Sequence, residues 1–431
     1  MKYLYQFPLK QHIGREAASA VVKGDNIVRG QLIAFQRENT LGANIYSSVS
    51  GVVEEVTEQQ ITIRAKEKQT EDYVKLKSSK PLDLIEEAGI VGLGGAGFPT
   101  SVKLSGSFET KGTVIVNGAE CEPILAHNVF CMEKHPEQLI RGLQIVMQIV
   151  GAGEGIIAVK EKHKKAIEAL QKHVNDDRIR IALLPDRYPM GEERAVVREV
   201  LGIHLGVESL PLDAGAVVVN AETICRIQEA VDCKKPLIDK NITVAGKIRG
   251  NTNLIQVMEN VPLGICVEEV FERAGGLAEE YGEILMGGPF TGKRTHRNAP
   301  VVKTTGALIA TECFMEGPEK LGLLVCACGA DRERLEEISC EMKSQVADIQ
   351  YCKQAIQTKG ALKCENPGNC PGQVQKILAL KKAGAQAVLI SSCTDCTNTV
   401  MSCAPKLGLS VYHCTDAALR AVNQKLIRKI R

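Results

Sequence analysis

The chain has 431 residues, 44% of them hydrophobic, and its 53 Lys and Arg nearly balance its 51 Asp and Glu, for a formal charge of +2. This length predicts several domains. With no basic block and no Trp, the composition argues against a nucleic-acid partner. No apolar run approaches the ~20 residues that span a bilayer, and the N-terminus lacks the apolar segment of a signal peptide, so we expect a cytoplasmic protein.

Residues 1–75 contain short β-type runs that are separated by glycine turns, which predicts a small all-β unit. The spacing V-x-x-G-D-x-I-x-x-G-Q-x-I from Val21 to Ile33 resembles the barrel-sandwich hybrid of biotinyl and lipoyl domains. Those domains carry a Lys in a turn for the prosthetic group, but the corresponding loop here, residues 38–42, has none. We therefore expect a structural role for this unit.

Residues 80–235 alternate between β-type and helical patterns. Segments of this length predict a mostly parallel sheet with helices on both faces, a doubly wound, Rossmann-like core. The predicted strands are 112–119, 155–160, 179–185 and 215–220, and the predicted helices are 82–90, 136–151, 162–174 and one that starts at Ala221.

Two further units complete an α/β multidomain fold. Residues 236–312 show a short strand, strand, helix, strand, strand order that is typical of a β-grasp module. Residues 316–431 again alternate strands and helices, including helices over 333–346 and 373–384 and a final basic helix. Ten of the 16 cysteines lie in this last unit, and they fall where predicted strands end, which is where open α/β sheets gather functional residues.

A glycine-rich string is the strongest motif of the chain. Four glycines in six residues allow the backbone to approach a ligand and direct N–H groups at an anion, and Lys103 adds a positive charge. Spacing alone leaves an ordinary tight turn as the alternative. The candidate cofactor-binding residues of this string are Gly92, Gly94, Gly95, Ala96, Gly97, Phe98 and Lys103.

The string GLGGAGFPT-x-x-K resembles the FMN-binding loop of the flavoprotein subunit of respiratory NADH dehydrogenase and of the RnfC component of the Rnf complex. Three further motifs follow in that family's order, VNGAECEP, YPMGEE and VNAET. They add as candidate FMN- and NADH-binding residues Asn117, Glu120 and Glu122, then Tyr188, Gly191, Glu192 and Glu193, then Asn220 and Thr223.

The resemblance implies a role for each residue type. The loop and Lys103 bind the FMN phosphate, and Asn117, Asn220 and Thr223 offer hydrogen bonds to the ribityl chain or ring edge. Glu120 and either Glu192 or Glu193 accept bonds from the ribose hydroxyls of NADH. Phe98 stacks on adenine, covers the flavin or is a structural aromatic. The resemblance therefore implies an NADH:acceptor oxidoreductase. In such an enzyme the protein mainly aligns the nicotinamide ring with the flavin ring.

The C-terminal cysteines are the predicted electron exit. Cys393-Thr394-Asp395-Cys396 lies at a predicted strand-to-helix junction, where helix N–H groups lower a thiol pKa and favour a reversible dithiol. Metal ligation and inert packing are the alternatives. Cys326, Cys328, Cys364 and Cys370 are either a second thiol relay or ligands of zinc or a [4Fe-4S] cluster. The C-x-x-C-x-x-C-x-x-x-C-P repeats of RnfC proteins do not occur in this sequence.

The whole arrangement resembles the electron-transfer proteins of D-proline reductase systems in amino-acid-fermenting clostridia, on the strings LLVCACG, KCENPGNCPGQ and CTDCTNTVM. That resemblance implies NADH as the donor and proline reductase as the acceptor. One alternative is a peripheral component of a membrane Rnf-type complex that carries a [4Fe-4S] cluster. A second alternative is a scaffold that has lost its flavin.

Overall fold

A computed structural model of the chain describes residues 3–108, 112–250, 253–358, 360–391 and 394–428, without the side chains of residues 394–398. The N-terminal part forms two small antiparallel sheets, in the orders β1-β7-β6-β3 and β2-β4-β5, around buried Phe7, Ile33 and Ile61. The strands are β1 (Leu4–Pro8), β2 (Ala18–Ser19), β3 (Asn26–Ile27), β4 (Leu32–Phe35), β5 (Ile45–Tyr46), β6 (Gly51–Val56) and β7 (Gln60–Ala65).

The second sheet is fully parallel, in the order β10-β9-β8-β11. Its strands are β8 (Gly112–Gly118), β9 (Ala152–Lys160), β10 (Ile179–Leu184) and β11 (Ala216–Asn220). The chain runs outward from β8 through β9 to β10 and then returns to the other side of β8. The order therefore reverses between β8 and β11, and a crevice is expected at the carboxyl ends of those two strands.

Helices cover both faces of this sheet. Along β8, Val114 and Val116 pack in the same core as helix α4, whereas Ile115 packs with Val196 of helix α6 on the opposite face. Side chains that alternate between two apolar cores explain the continuous apolar run of the strand. The helices are α1 (Pro81–Glu87), α2 (Thr100–Leu104), α3 (His127–Lys134), α4 (Pro136–Val150), α5 (Lys164–His173), α6 (Glu193–Leu201) and α7 (Ala221–Asp232).

The third sheet is mixed, in the order β13-β12-β16-β14-β15, with β12 and β16 parallel at its centre. One helix, α8, follows its first two strands as predicted, but three strands follow the helix where two were predicted. The elements are β12 (Asp239–Gly246), β13 (Ile255–Pro262), α8 (Val267–Arg273), β14 (Ile284–Met286), β15 (Lys293–Thr295) and β16 (Ala307–Ala310).

The C-terminal sheet is parallel, in the order β18-β17-β21-β22, and a hairpin of β19 and β20 lies beside it. Here the strand order reverses between β17 and β21. The elements are β17 (Lys320–Val325), α9 (Arg332–Glu341), β18 (Gln345–Tyr351), β19 (Ala355–Gln357), β20 (Leu362–Cys364), α10 (Val374–Lys382), β21 (Ala387–Ile390), α11 (Thr394–Cys403), β22 (Ser410–His413) and α12 (Asp416–Ala421). The predicted α/β multidomain class is confirmed.

Two helix predictions in this part are wrong at their ends. The helix predicted over 333–346 stops at Glu341, because Lys343 has a φ of 57° and the chain then enters β18. The final basic helix stops at Ala421, and Asn423 has a φ of 56°. Residues in the left-handed region cannot continue a right-handed helix.

Candidate functional site

A cavity of about 600 Å³ lies at the carboxyl ends of β8 and β11. Asn117 of β8 and Asn220 of β11 are partners across the sheet, and both line the cavity. Open α/β sheets bind ligands at the point where the strand order reverses, and a volume of about 300–1,000 Å³ is typical of sites for small molecules. Both the position and the size are those of a cofactor site.

The glycine-rich loop lines this cavity from Gly92 to Phe98. A Cβ atom added at Gly95 would meet no atom within 4 Å, whereas one at Gly94 would lie 2.5 Å from Nδ2 of Asn220. Gly97 has a φ of 70°, which favours glycine, and its carbonyl accepts a hydrogen bond from Ile13 N–H at 3.0 Å. The loop is thus held tightly against its neighbours and leaves open space at Gly95.

Asn117, Asn220 and Thr223 hold the loops around the cavity. The hydroxyl oxygen of Thr223 accepts a bond from Leu93 N–H at 3.0 Å, and Asn220 Oδ1 accepts one from Thr223 N–H at 3.2 Å as the cap of α7. Asn117 Nδ2 donates to the carbonyl of Gly191 at 2.8 Å. These side chains shape the site, and their predicted bonds to a ribityl chain stay a prediction.

Lys103 is paired with one of the predicted NADH-binding glutamates. Its Nζ lies 2.6 Å from Oε1 of Glu193, and both side chains are partly exposed. The neighbouring Glu192 caps α6, since its Oε2 accepts a bond from Ala195 N–H at 3.0 Å. Because a partly exposed ion pair contributes only about 0–1 kcal/mol, a ligand phosphate can compete with Glu193 for Lys103.

Glu122 and Tyr188 connect the cavity to the third sheet. The Glu122 carboxylate accepts bonds from Phe290 N–H at 2.8 Å, Thr291 N–H at 3.0 Å and the Thr291 hydroxyl at 2.6 Å. Burial raises the pKa of Glu122 to about 7, although these hydrogen bonds act in the opposite direction. The ring of Tyr188 is stacked on that of Phe290, with centroids 3.7 Å apart.

Glu120 is not among the residues that line the cavity. Its backbone has a φ of 37°, and its carboxylate accepts bonds from Asn128 N–H at 3.1 Å and from Asn128 Nδ2 at 2.8 Å. Its Oε2 also lies 3.8 Å from Nδ1 of His127. Glu120 therefore orders the start of α3, and its predicted bond to a ribose stays a prediction.

The lining of the cavity also includes thiols. Cys328 and Cys364 of the C-terminal region line the cavity together with Cys121 and Arg194. Arg194 Nη2 donates to the carbonyl of Cys364 at 2.8 Å. The Cys328 thiol donates to the sulfur of Cys364 and, with the Arg194 charge nearby, lowers the pKa of Cys364. Burial raises the pKa of Cys121 to about 12.

The side chains of Cys328 and Cys364 interact with each other and with those of three further cysteines. Cys328 contacts both Cys364 and Cys326, Cys326 also contacts Cys352, and Cys352 contacts Cys370. The structure thus brings together all four cysteines predicted as a relay or as metal ligands, and adds Cys352. Among the described residues, however, no three His, Cys, Asp or Glu side chains are grouped so that they could hold a metal ion.

The predicted redox pair falls largely outside the described part of the chain. β21 ends at Ile390 and α11 begins at Thr394, so the segment between them does join a strand to a helix. Cys393 lies outside the described residues, and so does the side chain of Cys396.

The sequence did not single out three residues that the structure places in the cavity or in contact with its neighbours. Arg194 directly follows a recognised motif but carries no pattern of its own. Asn128 is a hub whose Oδ1 accepts a bond from Asn220 Nδ2 at 3.1 Å, while its amide holds Glu120. Cys352 follows a strand that was not predicted. Only the position of Cys352 after an alternating segment, QVADIQY, could have been a signal.

Comparison with protein families agrees with the geometry. Residues 1–74 match the family model described as the RnfC barrel sandwich hybrid domain. Residues 85–229 match the Nuo51 FMN-binding domain. The predicted barrel-sandwich and FMN-type folds are therefore confirmed.

Curated relatives extend the similarity. The RnfC-type component of the proton-translocating ferredoxin:NAD⁺ oxidoreductase complex of Clostridium ljungdahlii is 33% identical over 70% of this chain and 69% of its own length. Its counterpart in the Na⁺-translocating complex of Acetobacterium woodii is 32% identical over 70% and 72%. Cobalamin reductase PduS of Salmonella typhimurium is 37% identical over 55% and 51%.

Among solved structures, an NAD⁺-reducing [NiFe]-hydrogenase in the air-oxidized state aligns with a TM-score of 0.46 and 22% identity, over 53% of this chain and 46% of that chain. None of the helices in the described part of the chain has the length and apolar character needed to cross a membrane. The two family models and the relatives from the two ion-translocating complexes point to one assignment: this chain belongs to the RnfC family of Rnf-type ferredoxin:NAD⁺ oxidoreductase complexes.

Proposed function

We infer that this chain takes a hydride from NADH onto FMN bound in the cavity and passes the electrons to thiols of its C-terminal region. The observation that carries this proposal is that one cavity is lined both by the glycine-rich loop, Lys103 and the two strand-end asparagines and by Cys328 and Cys364. The family assignment adds the FMN-binding domain match and relatives whose names state ferredoxin:NAD⁺ oxidoreduction.

The residues present fit FMN. Gly95 leaves the loop backbone open to a phosphate, and Lys103 supplies the positive charge. When bound, FMN supplies the ability to accept a hydride from nicotinamide and to release the electrons to another group. Lys103 would hold the FMN phosphate in place of Glu193, and Glu193 would then accept hydrogen bonds from the ribose hydroxyls of NADH. Tyr188, packed on Phe290, closes the cavity on the side of the third sheet.

For the final acceptor we propose a D-proline reductase, with Cys393 and Cys396 as the exit dithiol. The support for this step is the resemblance of the cysteine strings of the C-terminal region. A membrane complex of the Rnf type is the second candidate, and it is favoured by the RnfC-type relatives.

An acceptor assay distinguishes the two candidates. The purified chain is reduced with NADH and is then mixed with proline reductase and D-proline in one experiment and with oxidised ferredoxin in another. D-proline consumption that is lost in Cys396→Ser but kept in Cys340→Ser, a variant of an exposed cysteine on α9, supports the first candidate. Reduction of ferredoxin alone, unaffected by Cys396→Ser, supports the second.

A further inference from the structure

One wall of the cavity is built of thiols that the FMN site does not require. Cys328 is half-buried and Cys364 is buried, and both face the same cavity as the glycine-rich loop. Behind them, Cys326, Cys352 and Cys370 continue a chain of thiol contacts away from the cavity. Cys326, Cys328, Cys352 and Cys364 are free thiols in this structure.

The fold explains why these cysteines meet. Cys326 directly follows β17 and Cys352 directly follows β18, and these strands are parallel neighbours, so the two residues leave the sheet at the same edge. That edge is where β17 and β21 mark the reversal of strand order. Cys364 ends β20 of the hairpin, whose partner β19 begins three residues after Cys352.

Contacts from the flavin-binding region fix the position of Cys364. Arg194 Nη2 donates to its carbonyl, and Arg198 Nη1 donates to the side-chain oxygen of Asn366 at 3.0 Å and to the carbonyl of Pro367 at 2.9 Å. Arg194 Nη1 is buried without a hydrogen-bond partner in the part of the chain that the structure describes. A buried guanidinium nitrogen beside Cys364 can stabilise negative charge on that sulfur.

We propose that Cys328 and Cys364 form a redox-active disulfide that accepts the electron pair from the cofactor held in this cavity. This step rests on the proposed function. The Cys328–Cys364 bond breaks as it takes up two electrons and two protons, the reduced flavin that gives them is oxidised, and two thiols result. Both residues line the same cavity and their side chains interact, so the pair meets the first requirement of a disulfide, which is that the two cysteines are neighbours.

The dithiol is oxidised again by a second disulfide, either elsewhere in the C-terminal region or on the acceptor protein. The S–S bond of that disulfide breaks as the Cys328–Cys364 bond reforms, and the two electrons and two protons leave with its thiols. Other pairs in the cluster serve the cofactor less well, since Cys326, Cys352 and Cys370 do not line the cavity.

Disulfide mapping tests the pair directly. FMN-loaded protein is oxidised with diamide, free thiols are blocked with N-ethylmaleimide, and cross-linked peptides are identified by mass spectrometry. We expect a Cys328–Cys364 cross-link that NADH removes. In FMN-free protein the same cross-link forms, resists NADH and is removed by dithiothreitol. Absence of this cross-link overturns the proposal, and so does iron or zinc bound stoichiometrically through these cysteines.

Reductive titration gives an independent measure. Oxidised wild-type protein should consume one more equivalent of NADH per chain than Cys364→Ser, while Cys340→Ser should match the wild type. Cys328→Ser serves as the second variant if Cys364→Ser does not fold. If NADH fails to bleach the flavin, the proposed function fails. The inference about the disulfide is then tested separately, with FMN that is reduced by light instead of by NADH. Loss of the cross-link under photoreduced FMN supports it, and persistence of the cross-link contradicts it.

Discussion

The hydroxyl of Tyr188 donates a hydrogen bond to the backbone carbonyl of Cys328. Tyr188 lies in the loop before α6, and Cys328 follows β17, so this bond joins the flavin-binding region to the cysteine-rich region inside the cavity. The ring of Tyr188 is also stacked on Phe290 from the third sheet. Three parts of the chain therefore meet at one side chain, and we expect the proposed electron transfer to depend on these contacts.

Replacing Tyr188 by Phe tests that contact. Tyr188→Phe keeps the stack on Phe290 but removes a hydrogen bond of about 1 kcal/mol. We expect reduction of the C-terminal thiols to slow several-fold relative to bleaching of the flavin, both followed by stopped-flow measurement with NADH. Tyr412→Phe, on β22 of the C-terminal sheet, is the control. An unchanged ratio of the two rates in Tyr188→Phe would show that the bond has no role in electron transfer.

Because Lys103 is paired with Glu193, we expect its removal to affect FMN binding much more than the stability of the fold. Lys103→Ala should raise the Kd for FMN at least about tenfold, because a charge-assisted bond to phosphate is lost. The thermal midpoint should hardly change, since the pair itself contributes about 0–1 kcal/mol. Lys343→Ala removes a surface pair with Glu316 outside the cavity and should leave FMN affinity intact. Equal FMN affinities for the two variants would exclude Lys103 from the site.

Gly95 offers a steric test without internal strain. In Gly95→Val the new side chain extends into open space, so the protein should fold but retain no FMN in equilibrium dialysis. Gly106→Val is the matched control, because Gly106 is equally exposed, has no neighbour within 4 Å of an added Cβ, and lies outside the cavity. FMN retention by both variants would mean that the loop does not hold the cofactor.

Glu122 makes stability depend on pH. Its pKa is raised from 4.5 to about 7, so between these values the folded state keeps a proton that the unfolded state has released. The free energy of unfolding should therefore fall by about 1–3 kcal/mol as the pH rises through this window. Thermal melts of the wild type and Glu122→Gln should show a smaller pH dependence in the variant, and identical slopes would assign the effect to other groups.

Local sequence patterns predicted most of the secondary structure. The apolar runs around Val114 and Val217 and the amphipathic segment at residues 136–151 predict the observed strands and helix within a few residues. These local patterns do not predict the order of the strands in the sheet. Nothing local to Asn117 and Asn220 says that β11 returns beside β8, yet that return is what pairs the two residues at the cavity.

The conformations and packing of single residues explain why local sequence patterns did not reveal other features of the site. Glu120 fits the motif, but its φ of 37° turns the carboxylate to Asn128, a contact that depends on the packing of α3. Cys352 stands in the sequence as one thiol among many, because the half-exposed strand before it has no strong apolar run. Of the five clustered cysteines, one lies on β20 and four lie in the segments that follow strands, so tertiary structure brings them together and spacing along the chain could not define the cluster.

The central claim is that this cavity binds FMN within reach of nicotinamide. Anaerobic titration of the purified chain with FMN, followed by NADH, tests it most directly. We predict stoichiometric FMN uptake, and then bleaching of the flavin absorbance as NADH is oxidised. A protein that takes up no FMN and oxidises no NADH under these conditions would contradict the account and would instead support a scaffold that has lost its flavin.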